Sequence, residues 1–322
     1  MARKGKVCHN KYVTGTNDSG PVLKGSDRCV TERGNFMGLV KIVSDSTCDL
    51  SAELVQKYDI GVIPLCIIMD DKSYFDGIET TAKEVLAWSD ANKTTPKTSA
   101  TSIEKAIEIL TPYKERGDEV IYIGISEDMS TTCNVIRLAA DDMDYSEKVH
   151  VINSMNLSTG IGLQVLKAAD LAAAGKSAEE IVNIITEARV DVRASFVVDT
   201  LTFLARGGRC SAVTALLAST LKIKPRIAVT MGKMGVSKKF HGNFDKAIIK
   251  YVQEMEEDLK TADPARVFIT HSEMKNPELV EEIRKYLESL NHFDEIIETD
   301  AGCVISSHCG PNCLGVLFYA GK

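Results

Sequence analysis

Between Glu119 and Asp142 the chain passes from one hydrophobic period to another, and few folds accommodate that change. Val120 to Ile125 is a short apolar run rich in β-branched residues, which reads as a buried strand. A polar loop follows, and then Val135, Leu138 and Ala139 recur at helical spacing. Ser130, Thr131 and Thr132 therefore fall where a strand ends and a helix begins. Unpaired backbone N–H groups and the positive end of the helix dipole collect at such a place. Three added hydroxyls suit it to a carboxylate or phosphate. Equally, Ser130 or Thr131 can serve as a helix cap and nothing more.

The same unit recurs along the first half of the chain. A strand at Leu39–Val43 runs into Ser44-Asp45-Ser46-Thr47, and Asp49 or Ser51 can cap a helix from Ala52 to Tyr58. A strand at His150–Ile152 ends in Asn153-Ser154 and leads to a helix from Leu157 to Ala174. Val62–Met69, with Pro64 near its start, reads as an edge strand, and Asp70-Asp71-Lys72 turns it into a hairpin with Ser73–Phe75. Thr81 with Glu84 makes a capping box for a helix through Trp88. Lys93–Ser102 reads as a hydroxyl-rich loop, and Ser102 opens a helix that Gly117 stops. Strand, polar loop and helix alternating in this way indicate a parallel α/β sheet, which binds ligands at the carboxyl ends of its strands. The loops at 44–47, 98–102, 126–132 and 153–158 are expected to face one crevice.

Beyond Gly175 the pattern changes. Ser177 and Glu180 box a helix to about Arg189, and Ser195–Val198 reads as a strand. A helix is expected over Ser211–Leu221, and a hairpin from Arg226–Thr230 and Val236–His241. Helices at 244–260 and 277–289 flank a strand at Val267–Ile269, with further strands at Glu295–Glu298 and Gly315–Tyr319. Hairpins mixed with helices suggest an α+β unit. The expectation is an α/β protein of two domains: a disordered extension at 1–37, a parallel α/β domain at 38–175 and an α+β domain at 176–322.

Composition narrows the function. The chain has 322 residues and a net charge of −7, with no long basic block. Nucleic acid is not an expected partner, because phosphate contacts need clustered Lys and Arg. No run approaches the roughly 20 apolar residues of a membrane span, and the polar amino terminus lacks the apolar core of a signal peptide. Nine scattered cysteines, an odd number in a large chain, point to a reducing cytoplasm rather than a disulfide framework.

Several familiar motifs fail. The Gly-x-Ser-x-Gly elbow of a hydrolase is absent. Gly160-Ile-Gly162 lacks the third glycine of a dinucleotide fingerprint and reads as helix packing. Gly310-Pro-Asn-Cys-Leu-Gly315 has P-loop spacing but ends in Val316 where the lysine should stand. Cys303, His308, Cys309 and Cys313 are the densest ligand cluster, yet contain no Cys-x-x-Cys pair, so small buried thiols with a loop histidine is the simpler reading. In Arg206-Gly207-Gly208-Arg209 the glycines permit close approach of a ligand and the guanidiniums can grip an anion; a helix stop with solvated arginines explains it equally well.

Six ordered motifs resemble those of the DegV family, the bacterial fatty-acid-binding proteins, from about Leu39 to Tyr319. They are Val43-Ser-Asp-Ser-Thr47, Thr98-Ser-Ala-Thr-Ser102, Ile125-Ser-Glu-Asp-Met-Ser130, Leu204-Ala-Arg-Gly-Gly-Arg209, Leu221-Lys-Ile-Lys-Pro225 and His308-Cys-Gly-Pro-Asn-Cys-Leu-Gly315. The resemblance implies a carrier rather than an enzyme, holding one long-chain fatty acid and needing no metal or other cofactor. The tail would lie in the carboxyl-terminal domain and the carboxylate at the interface between the domains. A separate fatty acid kinase, similar to dihydroxyacetone kinases, would phosphorylate that carboxylate to an acyl phosphate. Transient contact with a membrane is compatible with such a role.

By position, Thr98 and Ser130 match the hydroxyls that hold the carboxylate, and His308 the histidine beside it. Ser99, Ser126 and Thr131 belong to the same hydroxyl-bearing loops, and Arg206 and Arg209 match the arginine-bearing loop near the opening. The sequence departs from the family pattern at Ala100-Thr101 for Gln-Pro, Thr131 for glycine, Cys133 for tyrosine, Asn153 for aspartate and Asn312-Cys313 for Gly-Ala. Two rival readings stand beside the carrier. One is a stand-alone hydrolase or phosphotransferase using Ser130 and His308. The other is an interaction protein with a degenerate pocket.

Overall fold

The structure, a computed structural model, describes residues 39–210, 213 and 223–321. The extension expected at 1–37 and, Val213 apart, the helix expected over Ser211–Leu221 lie outside the described residues.

The chain begins with β1 (Val40–Asp45), α1 (Ala52–Lys57) capped by Ser51, and β2 (Gly61–Ile63). The single strand expected over Val62–Met69 is broken. Pro64 follows β2 directly, and β3 (Cys66–Met69) belongs to another sheet. Proline has no N–H for a ladder, so the chain leaves the first sheet there. β3 turns through Asp70 and Asp71, both with positive φ, into β4 (Lys72–Phe75). The capping box of Thr81 and Glu84 opens α2 (Ala82–Asn92). Part of the expected loop at 93–102 is a strand, β5 (Lys97–Ser99), paired with β3. α3 (Ile103–Arg116) starts at Ser102 and ends at Gly117.

β6 (Glu119–Gly124), α4 (Thr132–Asp142), β7 (Val149–Asn153) and α5 (Thr159–Ala173) complete the first half. The first sheet is wholly parallel, in the order β2-β1-β6-β7, with β2 at its edge. α4 buries Cys133, Ile136, Ala139 and Ala140, while Leu138, expected on the apolar face, is exposed.

Next come α6 (Ala178–Ala188), with its Ser177–Glu180 box, β8 (Val192–Val198) and α7 (Thr202–Gly207), then β9 (Ile223–Thr230) and β10 (Lys233–His241). The last two form a hairpin whose turn is only Met231 and Gly232, both at positive φ. The helix expected at 244–260 is two helices, α8 (Phe244–Gln253) and α9 (Glu256–Lys260). They are followed by β11 (Arg266–His271), α10 (Glu278–Ser289), β12 (Glu295–Asp300), α11 (Cys303–Cys309) and β13 (Cys313–Tyr319). The second large sheet is mixed, in the order β10-β9-β8-β13-β11-β12.

α5 lies between the two large sheets, against β1 and β6 on one side and β8, β11 and β13 on the other. One apolar cluster runs from Ile42 and Ile121 through Ile161 and Val165 to Phe196 and Ile227. Gly160 and Gly162 permit this fit: a Cβ on Gly162 would meet the Cys48 carbonyl oxygen at 3.0 Å, and one on Gly160 would meet Asn156 Oδ1 at 2.2 Å. Thr159 of α5 hydrogen-bonds Thr270 at 2.6 Å, and the buried Gln164 donates to the Ser154 and Gly160 carbonyls, although its Oε1 has no partner.

Leu166 of α5 is fully buried in a cluster with Phe268 and Leu317 of the mixed sheet. Leu166→Ala should cost about 2–5 kcal/mol. Urea unfolding followed by circular dichroism should show a lowered midpoint; an unchanged midpoint would remove α5 from its place as the shared core.

Candidate functional site

Asp49 and Asp76 position the site from underneath. The Asp76 carboxylate accepts from the backbone N–H of Cys303 at 2.9 Å and of Val304 at 3.5 Å. Asp49 accepts from Gly302 N–H at 2.9 Å and from the Ser158 hydroxyl. Two carboxylates thus fill the amino-terminal donors of α11, a helix of β-branched residues, serines and cysteines with little propensity of its own. Burial holds the Asp49 carboxyl well above its ordinary range, and the Ser158 and Gly302 donors partly offset that.

At the other end of α11 stands His308. Its Nε2 lies 2.8 Å from Thr98 Oγ1 on β5. Its Nδ1 is buried and has no hydrogen-bond partner. The ring packs on Gly207, where a Cβ would stand 2.2 Å from Nδ1. The glycine pair of the arginine motif therefore divides its work. Gly207 makes room for the imidazole, and Gly208, at φ +71, ends α7 in a left-handed conformation. Burial, and then the nearby Arg209 guanidinium, push the His308 pKa down to about 4. The ring is neutral at physiological pH. An unpaired buried N–H is costlier than a bare ring nitrogen, so we assign the hydrogen to Nε2, donating to Thr98. The Thr98 hydroxyl hydrogen is then free to point elsewhere.

Ser130 has the same property. Its Oγ accepts from Thr132 N–H at 3.3 Å and lies 2.7 Å from Thr132 Oγ1. With Thr132 donating, both acceptor positions of Ser130 are filled and its hydroxyl hydrogen is free. Ser130, rather than the N-cap Thr131, supplies the side-chain acceptor at the start of α4.

Thr98, Ser99, Ser130, Thr131, Arg209 and His308 all line one cavity of about 480 Å³. That size is typical of small-molecule sites. Its remaining wall is largely apolar, with Ile125, Met129, Leu157, Met234, Val304 and Ile305 among its members. Sequence reading missed this wall because these six residues come from four separate stretches. Arg209 donates to the Gly207 carbonyl at 2.7 Å and to the Met129 carbonyl at 3.5 Å.

Two of the expected ligand residues stand outside this cavity. Ser126 is fully buried; its hydroxyl donates to the Gly232 carbonyl at 2.7 Å and holds the β9–β10 turn to the loop after β6. Arg206 lines a separate cleft with Lys83, Thr202 and Phe203. Ser44-Asp45-Ser46-Thr47 does not face the cavity either but braces it from behind. Asp45 accepts from Ile125 N–H at 2.9 Å and Tyr122 Oη at 2.8 Å, and Ser46 donates to Asp76 at 2.8 Å. Of the 153–158 loop only Leu157 reaches the cavity wall.

His308 lies in a helix and not in the loop expected for it. Its neighbours Cys309 and Cys313 are buried thiols. Their mutual hydrogen bond, with burial, keeps the Cys313 thiol well above its ordinary pKa. Among the described residues no group of His, Cys, Asp and Glu is placed to hold a metal ion, and no helix is long and apolar enough to cross a membrane.

Fold and cavity together define a mixed α/β pocket protein in which the Thr98 and Ser130 hydroxyls and a neutral imidazole line a largely apolar hollow. The chain belongs to the DegV family: the model described as "Uncharacterised protein, DegV family" matches residues 39–321. A DegV domain-containing protein of Clostridium perfringens is 34% identical over 88% of this chain and 99% of its own length. The structure of a fatty-acid-binding DegV family protein from Thermus thermophilus superposes with a TM-score of 0.79 at 26% identity, covering 88% of this chain and 99% of that one. DegV of Bacillus subtilis, a fatty acid binding protein, does so with a TM-score of 0.76 at 28% identity, covering 88% and 99%.

The imidazole yields a direct test. In the unfolded chain His308 takes up its proton near pH 6.5, but in the fold only near 4. The neutral ring's contribution to stability is complete above about pH 6.5 and is lost as pH falls towards 4. The His308 ring resonances should titrate with a midpoint below pH 5, and His308→Gln should flatten the fall in stability between pH 6.5 and 4. A ring midpoint near 6.5 would contradict the assignment.

Proposed function

We propose that this protein binds one long-chain fatty acid, with the carboxylate at Thr98 and Ser130 and the acyl chain along the apolar wall, and presents it to a separate kinase for conversion to an acyl phosphate. The observation that carries the reading is the paired hydroxyl donors. Thr98 accepts from His308 Nε2 and, with the Thr132 hydroxyl donating, Ser130 accepts twice from Thr132, which leaves two O–H groups for an acceptor-only ligand such as a carboxylate. Arg209 on the same wall adds a favourable field for an anion, and the two carboxylates that also line it, Glu127 and Asp128, are paired with Arg137 and Lys233. The fatty-acid-binding relatives from Thermus thermophilus and Bacillus subtilis support the ligand class.

The division of labour follows from magnitudes. Each buried CH₂ contributes about 0.8 kcal/mol, so the tail supplies most of the affinity. Hydrogen bonds to a charged head add about 1.5–3 kcal/mol each and fix its position. A grip by neutral groups leaves carboxylate oxygen density available to an incoming phosphoryl group. The chemistry of the hydrolase alternative is poorly served. Ser130 bonds to Thr132 and His308 to Thr98, so Ser130 and His308 form no nucleophile–base pair, and the Nε2 hydrogen directed at Thr98 keeps the ring from taking that hydroxyl's proton. A ring whose pKa is about 4 is also a weak general base.

Organic extraction of the purified protein should release about one long-chain fatty acid per chain, and delipidated protein should take up palmitate or oleate. An empty protein that takes up neither would end the proposal. Thr98→Ala and Ser130→Ala should each weaken binding about tenfold to a hundredfold in protein that circular dichroism shows to remain folded. Equal lipid content in mutant and wild type would remove these hydroxyls from the head-group site. Loaded protein with ATP should yield acyl phosphate only when a dihydroxyacetone-kinase-like enzyme is added; turnover by the protein alone would favour the enzymatic reading.

A further inference from the structure

The floor of the main cavity is also the roof of a second one. Leu157, Ile305 and Cys309 belong to both. On the far side lies a hollow of about 20 Å³, bounded by Phe196 and Leu317 of the mixed sheet. About 10–15 Å³ suffices for one water or one methyl-sized group, so this hollow has room for one or two carbons.

The polar side chains around it are engaged with protein partners, and almost all the surface they and their neighbours present to the hollow is apolar. The Ser158 hydroxyl is held by Asp49. The Thr270 hydroxyl is bonded to Thr159 at 2.6 Å and to Thr299 at 3.1 Å. Ser272 Oγ accepts from Cys313 N–H at 3.0 Å. A void with so apolar a wall holds water poorly, and its lining lacks dispersion partners. A terminal methyl group suits such a place. Of the three shared residues Cys309 has the smallest side chain, and it stands one position after His308, so the same helix carries the head-group site and the throat.

We propose that this hollow receives the methyl end of the bound acyl chain, and that the Cys309 side chain sets the longest chain admitted. The inference rests on the fatty-acid reading above and adds a specificity-determining residue to it. Removing Sγ joins the two hollows and admits additional carbon. A leucine at 309 fills the passage and excludes the carbon that wild type accepts.

The test is competition among saturated fatty acids of 14, 16, 18 and 20 carbons for delipidated protein, read by native mass spectrometry for wild type, Cys309→Ala and Cys309→Leu. One CH₂ is worth about 0.8 kcal/mol, or about fourfold in affinity. Cys309→Ala should favour the next longer acid by about fourfold or more relative to wild type, and Cys309→Leu should favour a shorter one. The Ala variant leaves only a small void, so its profile can be read even where the Leu variant fails to fold. A loaded wild type with an unchanged Cys309→Ala profile would overturn this inference alone. A wild type that binds none of the four acids would overturn the fatty-acid reading and this inference with it.

Discussion

The hydrogen bond between Thr98 and His308 is the contact on which the pocket depends. It joins residues 210 positions apart, one on the small antiparallel sheet and one at the end of α11. Neither partner is placed by its own neighbourhood. β5 is three residues long and exists because β3 supplies its ladder. α11 is seven residues long and exists because Asp49 and Asp76 fill its first donors. The head of the site is thus an assembly of short elements, each stabilised by something distant.

Burial gives those contacts their chemical character. In water an imidazole beside a hydroxyl would exchange freely between charged and neutral forms near pH 6.5. Packed on Gly207, with Arg209 nearby, His308 is held neutral. A neutral ring donating to Thr98 leaves that hydroxyl's hydrogen free, and Ser130 is in the same position when the Thr132 hydroxyl donates to it. The pocket thus offers hydroxyl hydrogens without a buried charge beside them. That arrangement avoids the large desolvation cost of a buried ion pair.

The sequence carried the long elements because their signals are local. The apolar run of β6, the capping boxes of α2 and α6 and the glycine stop of α3 can each be read within a few residues. The hydroxyls of Thr98 and Ser130 were legible through motif resemblance. α11 was not, because β-branched residues, serines and cysteines carry little helical signal and its caps lie more than 220 positions away. The strand break at Pro64 was half legible: proline marked an edge but not a change of sheet.

What the sequence alone determined is the family, the alternation of strand and helix and the kind of side chain available to the pocket. These follow from period, capping and residue chemistry, which act over a few positions. Only the tertiary structure decided which hydroxyls have a free hydrogen, that Ser126 and Asp45 brace the pocket instead of lining it, and that Arg206 turns to another cleft. Those outcomes depend on partners supplied by segments remote in the chain. Burial, donor pairing and charge are properties of the packed assembly and not of any one stretch.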